Sequence, residues 1–133
     1  MTPKPVTGLV FFIDRSLGRR YVAQALRDAG AKVEIHDDHF PQTTSDVDWL
    51  TEVGKRGWVV LSKDERIRRN RIERGALVAA RVRAFFLTQQ DITGPEMAEL
   101  FQRVLPGMTN RAISQPAPFI YTITRSGHFS RVK

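Results

Sequence analysis

Five short runs of apolar and β-branched residues recur along this chain: Leu9 to Ile13, Lys32 to His36, Trp58 to Ser62, Val82 to Leu87 and Pro118 to Thr124. Each is too short and too continuous to be one face of a helix, so each reads as a strand. The segments between them carry apolar residues at helical spacing. Leu17, Tyr21, Val22, Ala25 and Leu26 do so ahead of Gly30, a natural helix stop. A loop, "HFPQTT", leads to Ser45, a good N-cap for a helix through Asp46, Val47, Asp48, Trp49, Leu50 and Val53 that Gly57 closes. A basic segment from Lys63 towards Ala80 predicts a helix weakened at Gly75. Pro95 suits a first helical turn, and Met97, Leu100, Phe101 and Val104 give that helix an apolar face. A kink is expected near Pro106 and Gly107, before a shorter helical piece through Ile113. At the end, "RSGH" predicts a turn and "FSRV" a short hairpin partner.

Strands alternating with helices predict a three-layer α/β/α domain around a mostly parallel sheet. Right-handed crossovers would bring the helix starts to one edge of it. A length of 133 residues fits a single domain with a real core. Residues 1–7, with two prolines, read as a flexible lead-in, and residues 8–133 as the domain. No apolar stretch approaches the roughly 20 residues of a membrane-spanning helix, and the start lacks the apolar segment of a secretory signal. With no cysteine, disulfides and thiolate metal sites are excluded, and a cytoplasmic setting is expected.

The strand ends carry acids. Asp14 ends the first strand, Asp37 and Asp38 the second, and Asp64 the third, while Asp46 and Asp48 open the helix after Ser45. In a parallel sheet these positions share the edge where open α/β folds bind ligands. Clustered carboxylates repel one another and need protons or a cation, and oxygen ligands without cysteine favour Mg²⁺ or Mn²⁺. Each acid also has a purely structural reading. Asp64 and Glu65 favour a helix N-terminus, Ser45 with Asp48 resembles a capping box, and Asp37 and Asp38 are turn formers. Asp14, at the end of so apolar a strand, is the least well explained in that way.

Net charge is +7, which makes a polyanion such as nucleic acid a fitting partner. Eight basic residues fall between Lys63 and Arg83, opposed there by Asp64, Glu65 and Glu73. Lys63, Arg66, Arg68, Arg69 and Arg71 are candidate phosphate contacts, with Arg19 and Arg20 at the first helix start. Ile67 and Ile72 give the same segment packing duties. Trp49 and Trp58 read as core. His36 and His39 flank Asp37 and Asp38 and read chiefly as solvated loop residues, with proton transfer as the alternative.

The segments "FFIDRSLGRRYVAQALRDAG", "DVDWL" and "WVVLSKDERIRR" resemble a PIN-like domain, closest to the compact group that includes VapC-type toxins of toxin–antitoxin pairs. The resemblance covers most of residues 8–90. It implies divalent-metal-dependent endoribonuclease activity, a hydrolysis of RNA phosphodiesters. It implies Asp14, Asp46 and Asp64 as catalytic metal ligands of Mg²⁺ or Mn²⁺, with Asp48, Asp37, Asp38 and Glu65 as reserves. Related domains often carry a fourth acid near the next strand, where this chain offers only Asp91, late in "TQQD". An antitoxin partner, commonly a DNA-binding protein of the helix-turn-helix kind, is implied as well, and a homodimer is compatible with it. Two other classes compete: a non-catalytic nucleic-acid-binding or protein-interaction module on the same fold, and a receiver-like domain. The receiver ranks below the nuclease because the first strand lacks paired acids.

Overall fold

A computed structural model describes residues 8–133, so the lead-in expected over residues 1–7 lies outside the described residues. The elements follow in order. β1 (Phe11–Ile13) passes through a 3-10 turn at Arg15–Leu17 into α1 (Tyr21–Asp28), β2 (Val33–Ile35), α2 (His36–His39) and α3 (Asp46–Arg56). After β3 (Val59–Ser62) come α4 (Glu65–Arg69), α5 (Arg71–Ala79), β4 (Arg83–Leu87), α6 (Gly94–Ser114), β5 (Phe119–Ile123) and β6 (Phe129–Arg131). One sheet has the order β2-β1-β3-β4-β5-β6. Its first five strands are parallel, and β6 returns antiparallel on β5 as the expected hairpin partner.

Strand alternation divides the interior into two layers, because successive side chains point to opposite faces. Phe11, Ile13, Phe85, Leu87, Phe119, Tyr121 and Ile123 pack with α1 and α6 on one face. Phe12, Val60, Ala84, Phe86 and Ile120 pack with α3 and α5 on the other, around the buried Trp49. The three-layer arrangement is thus the one the sequence pattern predicts. Strands buried on both sides explain why the apolar runs are continuous rather than alternating.

Two helix boundaries differ from the sequence reading. The basic segment breaks at Asn70, not at Gly75. Asn70 is extended (φ −70°, ψ 128°), and its side-chain oxygen accepts from the amides of Ile72 and Glu73, which ends α4 and starts α5. Gly75 lies inside α5, where its extra backbone entropy costs about 1 kcal/mol at most. The second difference is in α6, which runs through Pro106 and Gly107 without a break. Beyond the proline, Met108 and Ala112 remain buried, so packing on both sides offsets a loss of roughly 3 kcal/mol. Gly107 serves contact, since a Cβ there would lie 2.9 Å from the Phe129 ring. A smaller difference is that "HDDH" folds into the short helix α2 ahead of the loop.

Candidate active site

The sheet order runs outward in both directions from the β1–β3 pair, so crossovers leave the C-terminal ends of those two strands in opposite directions. Open α/β sheets form a crevice at such a point. Asp14, Ser62 and Asp64 stand at these two strand ends.

Asp14 is placed by backbone before side chain. Its amide donates to Leu61 O at 3.0 Å, which continues the β1–β3 ladder by one residue past Ile13. The side chain is buried, at 5% exposure. Its Oδ2 accepts from Ser16 Oγ and from Ser62 Oγ, each at 2.8 Å. Ser16 Oγ in turn accepts from the Lys63 amide (3.0 Å) and Ser62 Oγ from the Asp64 amide (2.9 Å). Each hydroxyl therefore spends its one proton on Asp14, and the 3.2 Å separation of the two hydroxyl oxygens is proximity without a shared proton. Burial pushes the Asp14 carboxyl above its ordinary pKa. The Ser62 and Ser16 bonds oppose that shift, and the charges of Asp64 and Asp46 add to it.

Asp64 caps α4: its Oδ1 accepts from the Arg66 amide at 2.9 Å, and its Oδ2 pairs with Arg66 Nη2 at 3.2 Å. Asp46 opens α3 after the expected Ser45 cap, whose Oγ accepts from the Asp48 amide. Asp46 Oδ1 accepts from Trp49 Nε1 at 2.8 Å, so the buried indole orients this carboxylate. Asp14, Asp46 and Asp64 line one pocket of about 420 Å³ together with Ser16, His36 and Arg66.

A fourth acid stands beside them, one that the sequence pattern marks only as a counter-charge to the arginines. Glu73, in the first turn of α5, has one carboxyl oxygen buried without a donor. Its pKa is pushed up to about 7, first by burial, then by the neighbouring Asp46 carboxyl and the charge of Asp64, with Arg66 opposing. Asn70 followed three residues later by a glutamate is a helix-start pattern, and that signal would have placed Glu73 one turn into a new helix.

Most of the remaining candidates fall outside this pocket. Asp37 is held by Arg15 Nε (3.4 Å) and Arg19 Nε (3.3 Å), while Asp38, Asp48 and Asp91 are exposed and do not line the pocket. Glu65 is exposed beside Arg68 (3.6 Å). His36, expected in solvent, is buried against Phe12, Phe40 and Trp49 and reaches the pocket wall. His39 meets Glu34 at 2.8 Å. Arg66 borders the pocket, and Arg69 and Arg71 are exposed near it in sequence. Lys63 Nζ donates to Gln90 O, and Arg19 and Arg20 line a separate cleft.

Among the described residues no three acidic or histidine side chains are arranged to hold one ion as they stand. The chemistry of the donor set nevertheless fits a hard divalent cation. All the donors are carboxylates, Glu73 has an orphaned buried oxygen, and Arg66 supplies the positive charge at Asp64.

Comparison with known proteins finds two similarities along the chain. A family model described as "PIN like domain" matches residues 9–89, which include all four acids. Over 116 residues the chain is 36% identical to the Mycobacterium tuberculosis (strain H37Rv) protein named "Putative ribonuclease VapC45", covering 84% of this chain and 83% of that protein. No solved structure matches significantly.

Proposed function

The chain belongs to the PIN-like domain family, and from that premise we propose that it is an endoribonuclease acting as the toxin of a toxin–antitoxin pair, with a divalent cation held by Asp14, Asp46 and Asp64. The observation that carries the reading is the convergence of these three acids, with Glu73 behind them, on one pocket at the β1–β3 strand ends. A bound Mg²⁺ or Mn²⁺ would polarise a phosphate oxygen and lower the pKa of a water. The protein's own groups do the rest. Ser16 and Ser62 fix the Asp14 carboxylate, and Trp49 fixes that of Asp46. Glu73 holds a proton against Asp46 near neutral pH, which lets two carboxyls share a wall. Arg66 exchanges its ion pair with Asp64 for a phosphate of the RNA, and Arg69 and Arg71 extend the basic surface that binds the backbone. No described helix is long and apolar enough to cross a membrane, and we place the protein in the cytoplasm beside an antitoxin of the helix-turn-helix kind.

A cleavage assay on pooled structured RNAs tests this, with Mg²⁺ or Mn²⁺ against EDTA. Cleavage is expected only with the cation, and Asp64→Asn is expected to lower it by about 100-fold or more. Equal cleavage by Asp64→Asn and wild type would sink the assignment of the site. Salt-sensitive RNA binding without cleavage under any cation would point to a binding module instead.

A further inference from the structure

We propose that Tyr21 is a stacking platform for an unpaired base, so that this surface takes single-stranded RNA across the shoulder between α1 and α6. Among the described residues Tyr21 is the one exposed Phe, Trp or Tyr, at 51%, and the other residues of these three types are buried or half-buried. Its hydroxyl has no hydrogen-bond partner there, in contrast to Tyr121, whose hydroxyl donates to Gln115. The ring is nonetheless fixed from below. It lies on Gly94 at the start of α6, where a Cβ would come within 2.5 Å of Tyr21 Cδ2 and 3.2 Å of Cγ. Any side chain at position 94 would lift the ring away. Glycine thus gives Tyr21 a backbone seat, while half of the residue stays exposed.

The surroundings suit a nucleotide. Arg20 Cζ stands 5.6 Å from the Tyr21 ring centroid, within cation–π range, and among the described residues it has no ion-pair partner. Tyr21 and Arg20 border a cleft of about 560 Å³ with Arg19, Arg27, Gln24 and Gln102. Its one carboxylate, Asp28, accepts from Gln24 Nε2 at 2.8 Å. Topology puts the platform on the catalytic edge, since α1 and α6 both begin where parallel strands end, as the acidic pocket does. On the same edge the exits of β3 and β4 are tied together by Lys63 Nζ to Gln90 O (3.0 Å) and Gln90 Nε2 to Lys63 O (2.9 Å). A strand crossing this edge keeps its phosphates over basic side chains while a base lies on Tyr21. Only an unpaired base can present its face in this way.

The platform rests on the ribonuclease reading, but its test does not need cleavage. A single-stranded RNA of about 12 nucleotides carrying a fluorescent adenine analogue is titrated in EDTA against wild type, Tyr21→Phe, Tyr21→Leu and Tyr21→Ala. Removing the ring is expected to weaken binding about 5- to 100-fold and to abolish stacking-induced quenching, while Tyr21→Phe stays near wild type. Leucine refills the seat on Gly94 without a π face, so a loss in Tyr21→Leu separates stacking from folding. A perfect duplex of the same sequence is expected to bind all four proteins alike. Unchanged single-strand binding by Tyr21→Leu, or equal losses for duplex and single strand, overturns the platform. Tyr21-dependent binding without cation-dependent cleavage leaves the platform standing and removes the nuclease. Cleavage with Tyr21-independent binding does the reverse.

Discussion

At pH 7 about half of the Glu73 side chains hold a proton, because burial and the Asp46 carboxyl push its pKa up to about 7. In the unfolded chain the same group releases its proton near its ordinary value of 4.5. Between those two values the folded protein binds the proton more tightly, so this group's contribution to stability falls as pH rises and is least favourable above the folded pKa. In EDTA, Glu73→Gln is therefore expected to melt above wild type at about pH 8, with the difference vanishing towards about pH 4.5. Thermal unfolding across that range checks it, and a difference independent of pH would refute the Asp46–Glu73 pairing. Cation-dependent cleavage should fall in the same variant, by about 10-fold, because an amide is a poorer oxygen donor to a hard cation than the carboxylate with its unpartnered buried oxygen. A second residue-scale prediction concerns Ser62, which is fully buried and links Asp14 to the Asp64 amide. Ser62→Ala leaves a buried carboxylate oxygen one donor short and is expected to cost about 1–3 kcal/mol in urea unfolding.

The element that decides the site's completeness is the α4–α5 junction. Gly75 is the residue that local propensity marks as a weak point, yet the break occurs at Asn70, whose side chain caps two amides of α5. Ending α4 there lets Ile67 reach the core layer around Trp49 while α5 restarts with Glu73 against Asp46. An unbroken helix would give residues 65–79 one common direction. Asn70→Ala should lower stability by about 1 kcal/mol through the lost cap. It should also lower RNA cleavage more than that loss explains, because Glu73 is positioned by the same turn. Unfolding curves and turnover on a single RNA separate the two effects. Conversely, Pro106 marks an interruption in sequence, and α6 ignores it because both halves of the helix bury apolar side chains.

At the scale of the whole molecule, charge and topology divide the work. A net charge of +7 sets a general attraction to polyanions, and the sheet order sets where that attraction is useful. If about four arginines of α4 and α5 meet phosphates, affinity for single-stranded RNA should fall about 50-fold between about 50 and 200 mM salt. Replacing Arg69 and Arg71 with Gln should flatten that dependence, as measured by binding at several salt concentrations. The alternation of short apolar runs with helical periods determined the fold class, because only helices on both faces of a parallel sheet bury such runs. The strand-end positions of Asp14 and Asp64 and the cap at Ser45 were legible for the same reason: they depend on local pattern and on the hand of crossovers. Glu73, the bond from Ser62 to Asp14, the burial of His36 and the seat of Tyr21 on Gly94 were not. Each joins segments far apart in the chain. Such contacts depend on how layers meet, which neither spacing nor propensity records, so the tertiary structure alone decided which acid stands against Asp46 and which tyrosine stays exposed.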